Sequence, residues 1–446
     1  MARRLLYNAR IVNEGKCFCG YVGMADEIIE VVAEGQPSES VVSSYDERED
    51  LEGALLLPGV IDDQVHFREP GLTHKADIAS ESKAAVAGGV TSYMDMPNTM
   101  PQTVTIAELE AKNTRASEVS WANYGFFIGA TNNNIDELRA IDYSNTPGIK
   151  LFLGASTGNM LVDDEKTLDD IFSLEGIIAI HSEDEKIIRD NMAKHKEAYG
   201  DNIPVSCHPA IRSEEACYMS TKRAVERALK HGTRLHVFHL STAKELEFFT
   251  TQPLREKKIT AEVCVHHLWF SDEDYQRLGT RIKWNPAIKT AADRKALQEA
   301  VNSGKVDVVA TDHAPHLLTE KQGDCSKAAS GGPMVQHSLI VMLELAAKGV
   351  FSIEKVVETM SHNPAILYGI NKRGYIREGY YADLVVVKPA KWTVSQDNVL
   401  TKCGWSPLEG EEFSNQVAMT IVNGNVVYKD GEHQPFVAGK RMTYDQ

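Results

Sequence analysis

The sequence contains no apolar run that approaches the roughly 18 residues needed by a membrane-spanning helix. The N-terminal run Met1–Asn8 reaches polar residues too soon for a secretory signal peptide. Cysteine is scarce, with seven scattered residues, an odd count without the spacing of a disulfide framework. Positive charge is also in deficit, because the formal net charge is -16. We therefore expect a soluble, cytoplasmic protein with no nucleic-acid partner and no membrane partner.

The two ends of the chain carry short β-like runs, whereas the middle alternates apolar strand-like runs with helical stretches. We expect residues 1–53 and 374–446 to form one small β-sandwich domain built from both termini. Residues 54–373 predict a (β/α)8 TIM-like barrel, so the fold class is α/β. Active sites of such barrels lie at the carboxyl ends of the strands. The eight candidate strands are 55–66, 91–96, 122–128, 149–153, 176–181, 235–239, 259–265 and 306–311.

Polar residues occupy one face of the first candidate strand. Strand alternation places Asp62, Gln64, His66 and Arg68 on the same side. Four polar side chains that leave an apolar run in one direction are costly unless they meet ligands or partners. The alternative is an edge strand with a solvated face, in which these residues have no chemical role.

Residues able to do chemistry also close other strands. Lys150 lies within an apolar strand, where a desolvated amine can lose its proton and take up carbon dioxide as a carbamate. His181 and His239 end neighbouring strands, and imidazole is a usual nitrogen ligand of zinc. Asp312 closes a very apolar strand as a candidate metal ligand or general base. Considered alone, Lys150 could extend its amine to the rim of the barrel, and each histidine could have a structural role. Their joint placement at strand ends favours a functional site.

Loop residues extend the same predicted barrel mouth. Asn98 stands between two prolines after the second strand, Asn285 follows the seventh, and His316 lies four residues beyond Asp312. Taken alone, Asn98 is more typical of a turn.

In this arrangement the sequence resembles the amidohydrolase superfamily over nearly its whole length. The family's pattern is matched by Gln64-x-His66, Lys150, His181, His239 and Asp312. Within the superfamily, several motifs are similar to those of dihydroorotases, namely His66-Phe67-Arg68-Glu69-Pro70-Gly71, Met96-Pro97-Asn98-Thr99, Gly148-Ile149-Lys150 with Ser156-Thr157-Gly158, Ala310 to His316, and Gly404-Trp405-Ser406-Pro407.

The resemblance implies a zinc-dependent enzyme that interconverts N-carbamoyl-L-aspartate and (S)-dihydroorotate in pyrimidine biosynthesis, and it suggests a homodimer. It implies that Asp312 is the catalytic base and that Arg68, Asn98 and His316 hold the substrate carboxylate. We add Asn285 to the substrate-binding set. The metal ligands implied by the resemblance are His66, a carbamylated Lys150, His181, His239 and Asp312.

The chain departs from the family pattern at Gln64, where relatives have histidine. Glutamine is a poorer zinc ligand than imidazole. We therefore expect the first metal position to be weakened or empty, and we favour one zinc ion over two. A second departure is Asn285-Pro286-Ala287-Ile288-Lys289, where relatives tend to have Asn-Pro-Pro-Leu-Arg.

Two alternatives stay open. The first is another cyclic amidohydrolase, such as an allantoinase or dihydropyrimidinase. Arg68 argues against it, because hydantoinase-like relatives act on substrates without that carboxylate and do not typically carry this arginine. The second is a non-catalytic homologue that supports aspartate transcarbamoylase. Gln64 favours this alternative, and the four retained groups Lys150, His181, His239 and Asp312 oppose it.

Overall fold

The computed structural model describes residues 3–154 and 160–445. Strands occur at both ends of the chain and alternate with helices between them. In chain order the strands are β1 (Arg4–Asn13), β2 (Lys16–Ala25), β3 (Ile28–Glu34), β4 (Glu47–Asp50), β5 (Leu55–Pro58), β6 (Val60–Val65), β7 (Val90–Asp95), β8 (Asn123–Phe126), β9 (Ile128–Gly129), β10 (Ile149–Phe152), β11 (Ile177–His181), β12 (Arg234–Val237), β13 (Ile259–Cys264), β14 (Val308–Ala310), β15 (Leu384–Thr393), β16 (Glu412–Val422), β17 (Asn425–Lys429) and β18 (Glu432–His433).

The helices fall mainly between the central strands. In chain order they are α1 (Glu39–Ser43), α2 (Ile78–Ala87), α3 (Ile106–Val119), α4 (Ile135–Arg139), α5 (Glu165–Phe172), α6 (Glu185–Tyr199), α7 (His208–Ile211), α8 (Glu214–His231), α9 (Val265–Trp269), α10 (Tyr275–Leu278), α11 (Ala291–Ser303), α12 (Ser338–Ala347), α13 (Ile353–Val357) and α14 (Asn363–Tyr368). Capping explains several boundaries. Helix α11, for example, begins after its N-cap Thr290, which forms a capping box with Asp293, and ends before Gly304, which has φ 74°.

The central strands form the predicted barrel. Strands β6, β7 and β8 pair in parallel, and so do β9 to β14, while Phe127 separates β8 from β9. The first and last strands meet through a parallel bridge between Val65 and His313. There the His66 backbone N–H donates to the His313 carbonyl over 2.7 Å. Because neighbouring parallel strands end on the same side, their terminal polar residues converge at one mouth.

The two termini build one nine-stranded sheet in the order β18-β17-β16-β15-β5-β1-β2-β3, with β4 beside β1. Strand β5 joins the two halves, since it pairs in parallel with β1 and antiparallel with β15. This sheet supplies the β-sandwich part of the α/β fold. The division into residues 1–53 plus 374–446 and residues 54–373 remains a proposal.

The first candidate strand, residues 55–66, is two strands in the structure. Gly59 separates β5 in the terminal sheet from β6 in the barrel. A Cβ at this position would lie 2.0 Å from Oγ1 of Thr91, so only glycine fits the close approach of the two chains. The unbroken apolar run conceals this change of sheet.

Apolar side chains fill the barrel below its mouth. Ile61, Met94, Phe127 and Phe238 belong to one buried cluster, which also includes Tyr368 of α14. The polar residues at the mouth therefore stand above a close-packed cluster that limits their movement. Among the described residues, no helix is both long enough and apolar enough to span a membrane.

Candidate active site

A cavity of about 80 Å³ opens at the carboxyl ends of the barrel strands. Gln64 and Trp284 contribute to its walls. His316 lies beside it, in contact with Arg68. The other residues predicted for the site all line it, namely His66, Arg68, Asn98, Lys150, His181, His239, Asn285 and Asp312.

The His66 ring lies between Asn98 and Asp312. Its Nδ1 is 2.8 Å from Oδ1 of Asn98, and its Nε2 is 3.0 Å from Oδ1 of Asp312. Burial lowers the pKa of His66 despite the neighbouring Asp312 carboxylate, so the ring is neutral. If Nδ1–H donates to Asn98, the Nε2 lone pair faces a carboxylate. A cation between these two acceptors would stabilise them, as expected for metal ligands.

Lys150 is buried in β10 with its amine against aromatic faces. Its Nζ lies 4.0 Å from the centroid of the Phe238 ring and 5.0 Å from that of Phe152. Within residues 3–154 and 160–445 this amine has no hydrogen bond or ion pair. Burial lowers the pKa of Lys150 to about 7, although Asp312 opposes the shift. A substantial fraction of the amine is therefore unprotonated near neutral pH, as carbamate formation requires.

His181 and His239 present ring nitrogens to each other across 3.0 Å, from Nδ1 of the first to Nε2 of the second. Two nitrogens bound to one tetrahedral zinc at about 2.0–2.1 Å lie roughly 3.3 Å apart, so a small adjustment would let both bind. Burial, followed by the nearby His181 and Lys150, holds the pKa of His239 well below its ordinary value. The neutral ring keeps the lone pair that a ligand needs.

Glu183 orients the His181 ring from behind. Its Oε2 lies 3.0 Å from Nε2 of His181, and Arg212 pairs with the same carboxylate. Burial alone would raise the pKa of Glu183, but Arg212 and then His181 hold that pKa at about 2. Because the ionised carboxylate only accepts, Nε2 carries the ring proton and Nδ1 keeps its lone pair toward the cavity.

Three site residues adopt backbone angles that side chains rarely take. Arg68 has φ 67°, His239 has φ 41° and Asp312 has φ 43°. Each stands just after a barrel strand, where the chain turns away from the sheet. Residues in this region usually need surrounding structure to hold them, and such positions concentrate at functional sites.

Gln64 occupies the position where the family has histidine. Its side chain is buried, and its Oε1 accepts a long contact from Sγ of Cys264 at 3.7 Å. The amide thus points toward the end of β13 and lines the cavity, and among the described residues it makes no hydrogen bond to His66.

Arg68 and His316 lie together at one end of the cavity. Nε of Arg68 donates to the Pro315 carbonyl at 3.2 Å, and its Nη2 lies 3.2 Å from Nε2 of His316. Trp405, from the motif near the C-terminus, donates from Nε1 to the His316 carbonyl at 2.7 Å. In the described part of the chain, Arg68 has no carboxylate within ion-pair distance although its side chain is buried.

Several site residues were absent from the sequence-based set. Glu183 lies two residues after His181, and Arg212 reaches it from α7–α8. Lys75 contacts His316 from the loop before α2. An acidic residue two positions after a predicted histidine ligand could have indicated Glu183 from the sequence. No neighbouring sequence pattern indicates Lys75. The motif residues Ser156 to Gly158 lie outside the described residues.

The comparisons with known proteins agree on a class of protein. The Amidohydrolase family model matches residues 55–427. A dihydroorotase from Halobacterium salinarum is 36% identical over 381 residues, which are 84% of this chain and 87% of that protein. An allantoinase from Bacillus velezensis is 30% identical over 436 residues, 96% of this chain and 94% of that protein. The solved L-hydantoinase (dihydropyrimidinase) from Arthrobacter aurescens superposes with a TM-score of 0.93 at 25% identity, over 99% of this chain and all of that one.

Proposed function

We propose a dihydroorotase reaction from one premise: the chain belongs to the amidohydrolase family. Its relatives include proteins named dihydroorotase, allantoinase and hydantoinase, so it is a cyclic amide hydrolase. The proposed reaction is the reversible cyclisation of N-carbamoyl-L-aspartate to (S)-dihydroorotate, in pyrimidine biosynthesis. Among the similar curated relatives, proteins named dihydroorotase outnumber those named allantoinase. The choice within the class rests on the end of the cavity where Arg68 and His316 lie, which we call the substrate pole.

The single observation that carries the proposal is the state of Arg68. A guanidinium with 3% exposure and no ion pair within the described residues is costly to bury. Its Nη2 faces His316, and both groups can donate toward the same space. A substrate carboxylate would accept from both and offset the buried charge. Dihydroorotate has such a carboxylate, whereas allantoin and dihydrouracil do not.

The residues at the other end of the cavity fit a zinc ion. His181 and His239 would hold it together with Lys150 as its carbamate, and His66 and Asp312 are the further ligand candidates. When bound, zinc supplies Lewis acidity toward the ring carbonyl and lowers the pKa of water. Gln64 replaces the usual histidine on the His66 side, so we propose one zinc ion per chain rather than two.

Asp312 is the proposed catalytic base. Its carboxylate would take a proton from the attacking water and return it to the amide nitrogen as the ring opens. Arg68, His316 and Asn98 would hold the ring by its carboxylate, so that one carbonyl faces Asp312. The Oδ1 atom of Asn285 is buried without a hydrogen-bond partner in the described structure and is available to a ring N–H.

The decisive experiment is ring opening of dihydroorotate by the purified, zinc-supplied chain, with bound zinc counted in the same sample. Turnover with about one zinc per chain supports the proposal. Preferred turnover of allantoin or dihydrouracil would replace it with another cyclic amide hydrolase. Lack of turnover on all three would favour the non-catalytic alternative, and co-purification with aspartate transcarbamoylase would then be measured. The homodimer also stays a prediction, to be checked by light scattering.

A further inference from the structure

Lys75 lies beside the substrate pole without lining the cavity. It belongs to the loop between β6 and α2 and is 6% exposed. Its Nζ is 3.2 Å from Nδ1 of His316 and 3.3 Å from Oε1 of Glu320. Nothing in the proposed reaction uses this amine directly, so its burial needs another explanation.

The hydrogen-bond chemistry of these neighbours determines where the His316 proton lies. A lysine ammonium only donates, so Nδ1 of His316 must accept from it with a lone pair. A neutral imidazole then carries its single proton on Nε2. That nitrogen faces Nη2 of Arg68 at 3.2 Å, and a guanidinium also only donates. Two donors therefore meet at the edge of the cavity, where the backbone carbonyl of Ser330 also lies within reach of the His316 ring as an acceptor.

A second arrangement of the proton is available and competes with the first. Oε2 of Glu320 lies 3.5 Å from Nδ1 of His316 and could accept from a proton there. Nε2 would then accept from Arg68, and the contact would be satisfied without any ligand. The shorter distance from Lys75 favours the first arrangement, in which Glu320 is held by Lys75 and by the Leu317 backbone N–H.

Burial and the surrounding cations keep His316 neutral. Arg68, Lys75 and Lys321 all stand near the ring, and Glu320 is the facing carboxylate. Burial first, then Arg68 and Lys75, hold the pKa of His316 well below its ordinary value. A doubly protonated ring is thus excluded, and the choice is between the two neutral tautomers.

We propose that Lys75 is a positioning residue, which fixes the tautomer of His316 that donates from Nε2 and so creates the second donor for a substrate carboxylate beside Arg68. The inference rests on the proposed function, since it explains how the carboxylate would be selected. Lys75 itself does not touch the substrate. It acts through His316, and its effect belongs to substrate binding rather than to turnover.

The test compares Lys75→Met, which removes the donor, with Lys75→Arg, which keeps a cationic donor. Steady-state kinetics with dihydroorotate should show a rise in KM of about 10- to 100-fold for Lys75→Met, as for the loss of one hydrogen bond to a charged group. The value of kcat should stay within about threefold, and Lys75→Arg should recover most of the lost KM. A KM within twofold of wild type, a loss confined to kcat, or no recovery with arginine would overturn the inference.

A matched control is Lys257→Met. Lys257 is also a buried lysine, but it pairs with Asp307 through a 2.7 Å contact far from His316. Its loss should lower the thermal midpoint while leaving KM unchanged. If Lys257→Met raised KM as much as Lys75→Met does, the effect would be one of general destabilisation and the inference would fail.

Binding of orotate, measured by calorimetry, separates this inference from the proposed function. If the wild-type chain binds orotate but does not open dihydroorotate, the proposed function is wrong. Lys75 is then judged from the orotate Kd alone, which should weaken about 10- to 100-fold in Lys75→Met and recover in Lys75→Arg. An unchanged Kd would contradict the role of Lys75 whatever the reaction is. If wild type neither binds orotate nor opens dihydroorotate, both ideas fail.

Discussion

Nε2 of His181 lies 3.0 Å from Oε2 of Glu183, and this one contact decides which nitrogen of the ring faces the cavity. We expect Glu183→Gln to weaken zinc binding by about 10- to 100-fold, the usual effect of losing a carboxylate behind a histidine ligand. The glutamine amide can present a donor to Nε2 and favour the wrong tautomer. Competition with a fluorescent chelator measures the affinity. Asp190→Asn, an exposed change on α6, is the control, and an affinity equal to wild type in Glu183→Gln would contradict the assigned role.

Arg68→Lys tests the substrate pole. A lysine keeps the charge but loses the planar fork that can bind a carboxylate through two parallel bonds. We expect KM for dihydroorotate to rise by about 10- to 100-fold, with a smaller change in kcat. Arg441→Lys, on the outer surface opposite Glu110, should leave both constants unchanged. An unaltered KM in Arg68→Lys would place the carboxylate elsewhere.

Asp312→Asn tests the proposed base. The amide retains the size of the side chain but cannot take a proton from water. Turnover should fall by at least about 100-fold, in the range expected for loss of a general base. Orotate binding should change little, because Arg68 and His316 remain. Most of the activity surviving this change would remove Asp312 from the proton transfer.

Strand β6 contains a buried carboxyl group, that of Asp62, whose protonation affects the stability of the fold. Burial raises the pKa of Asp62 to about 7, although Thr311 donates to it from Oγ1 at 2.6 Å. The unfolded chain releases this proton near pH 4, so the stabilisation is complete below about pH 4 and is lost as the pH rises through about 7. The total is on the order of 4 kcal/mol.

Asp62→Asn should remove this dependence, because asparagine resembles the neutral acid. We expect its thermal midpoint to exceed that of wild type at pH 8 and to match it only near pH 4, where both proteins have a neutral side chain at this position. Scanning calorimetry at both pH values measures the difference. Equal pH dependence in the two proteins would mean that Asp62 is ionised in the fold throughout.

The sequence was sufficient for the residues that share strand ends, because strand direction alone brings Lys150, His181 and His239 to one mouth. It was also sufficient for the barrel strands, apart from the breaks at Gly59 and at Phe127, each inside a run that was predicted as one strand. Lys75 could not be found this way, since its role depends on His316, which is 241 residues away. Tautomers are set by such distant neighbours, and no periodicity in the chain records them.

Gln64→His is the sharpest test of the metal count. The substituted ring would replace the amide that now contacts Cys264 and would stand on the same face of β6 as His66. Two imidazoles and the Asp312 carboxylate would then offer the donor set that the family pattern has at this position. We expect the variant to retain about two zinc ions per chain after dialysis, against one for wild type, as counted by atomic emission. Gln64→Asn, which keeps the amide, is the control and should retain one. If wild type already holds two ions, Gln64 does not weaken the first position and the one-zinc proposal is wrong. If the Gln64→His variant retains one zinc ion per chain, the residues around Cys264, rather than the glutamine itself, prevent the second ion from binding.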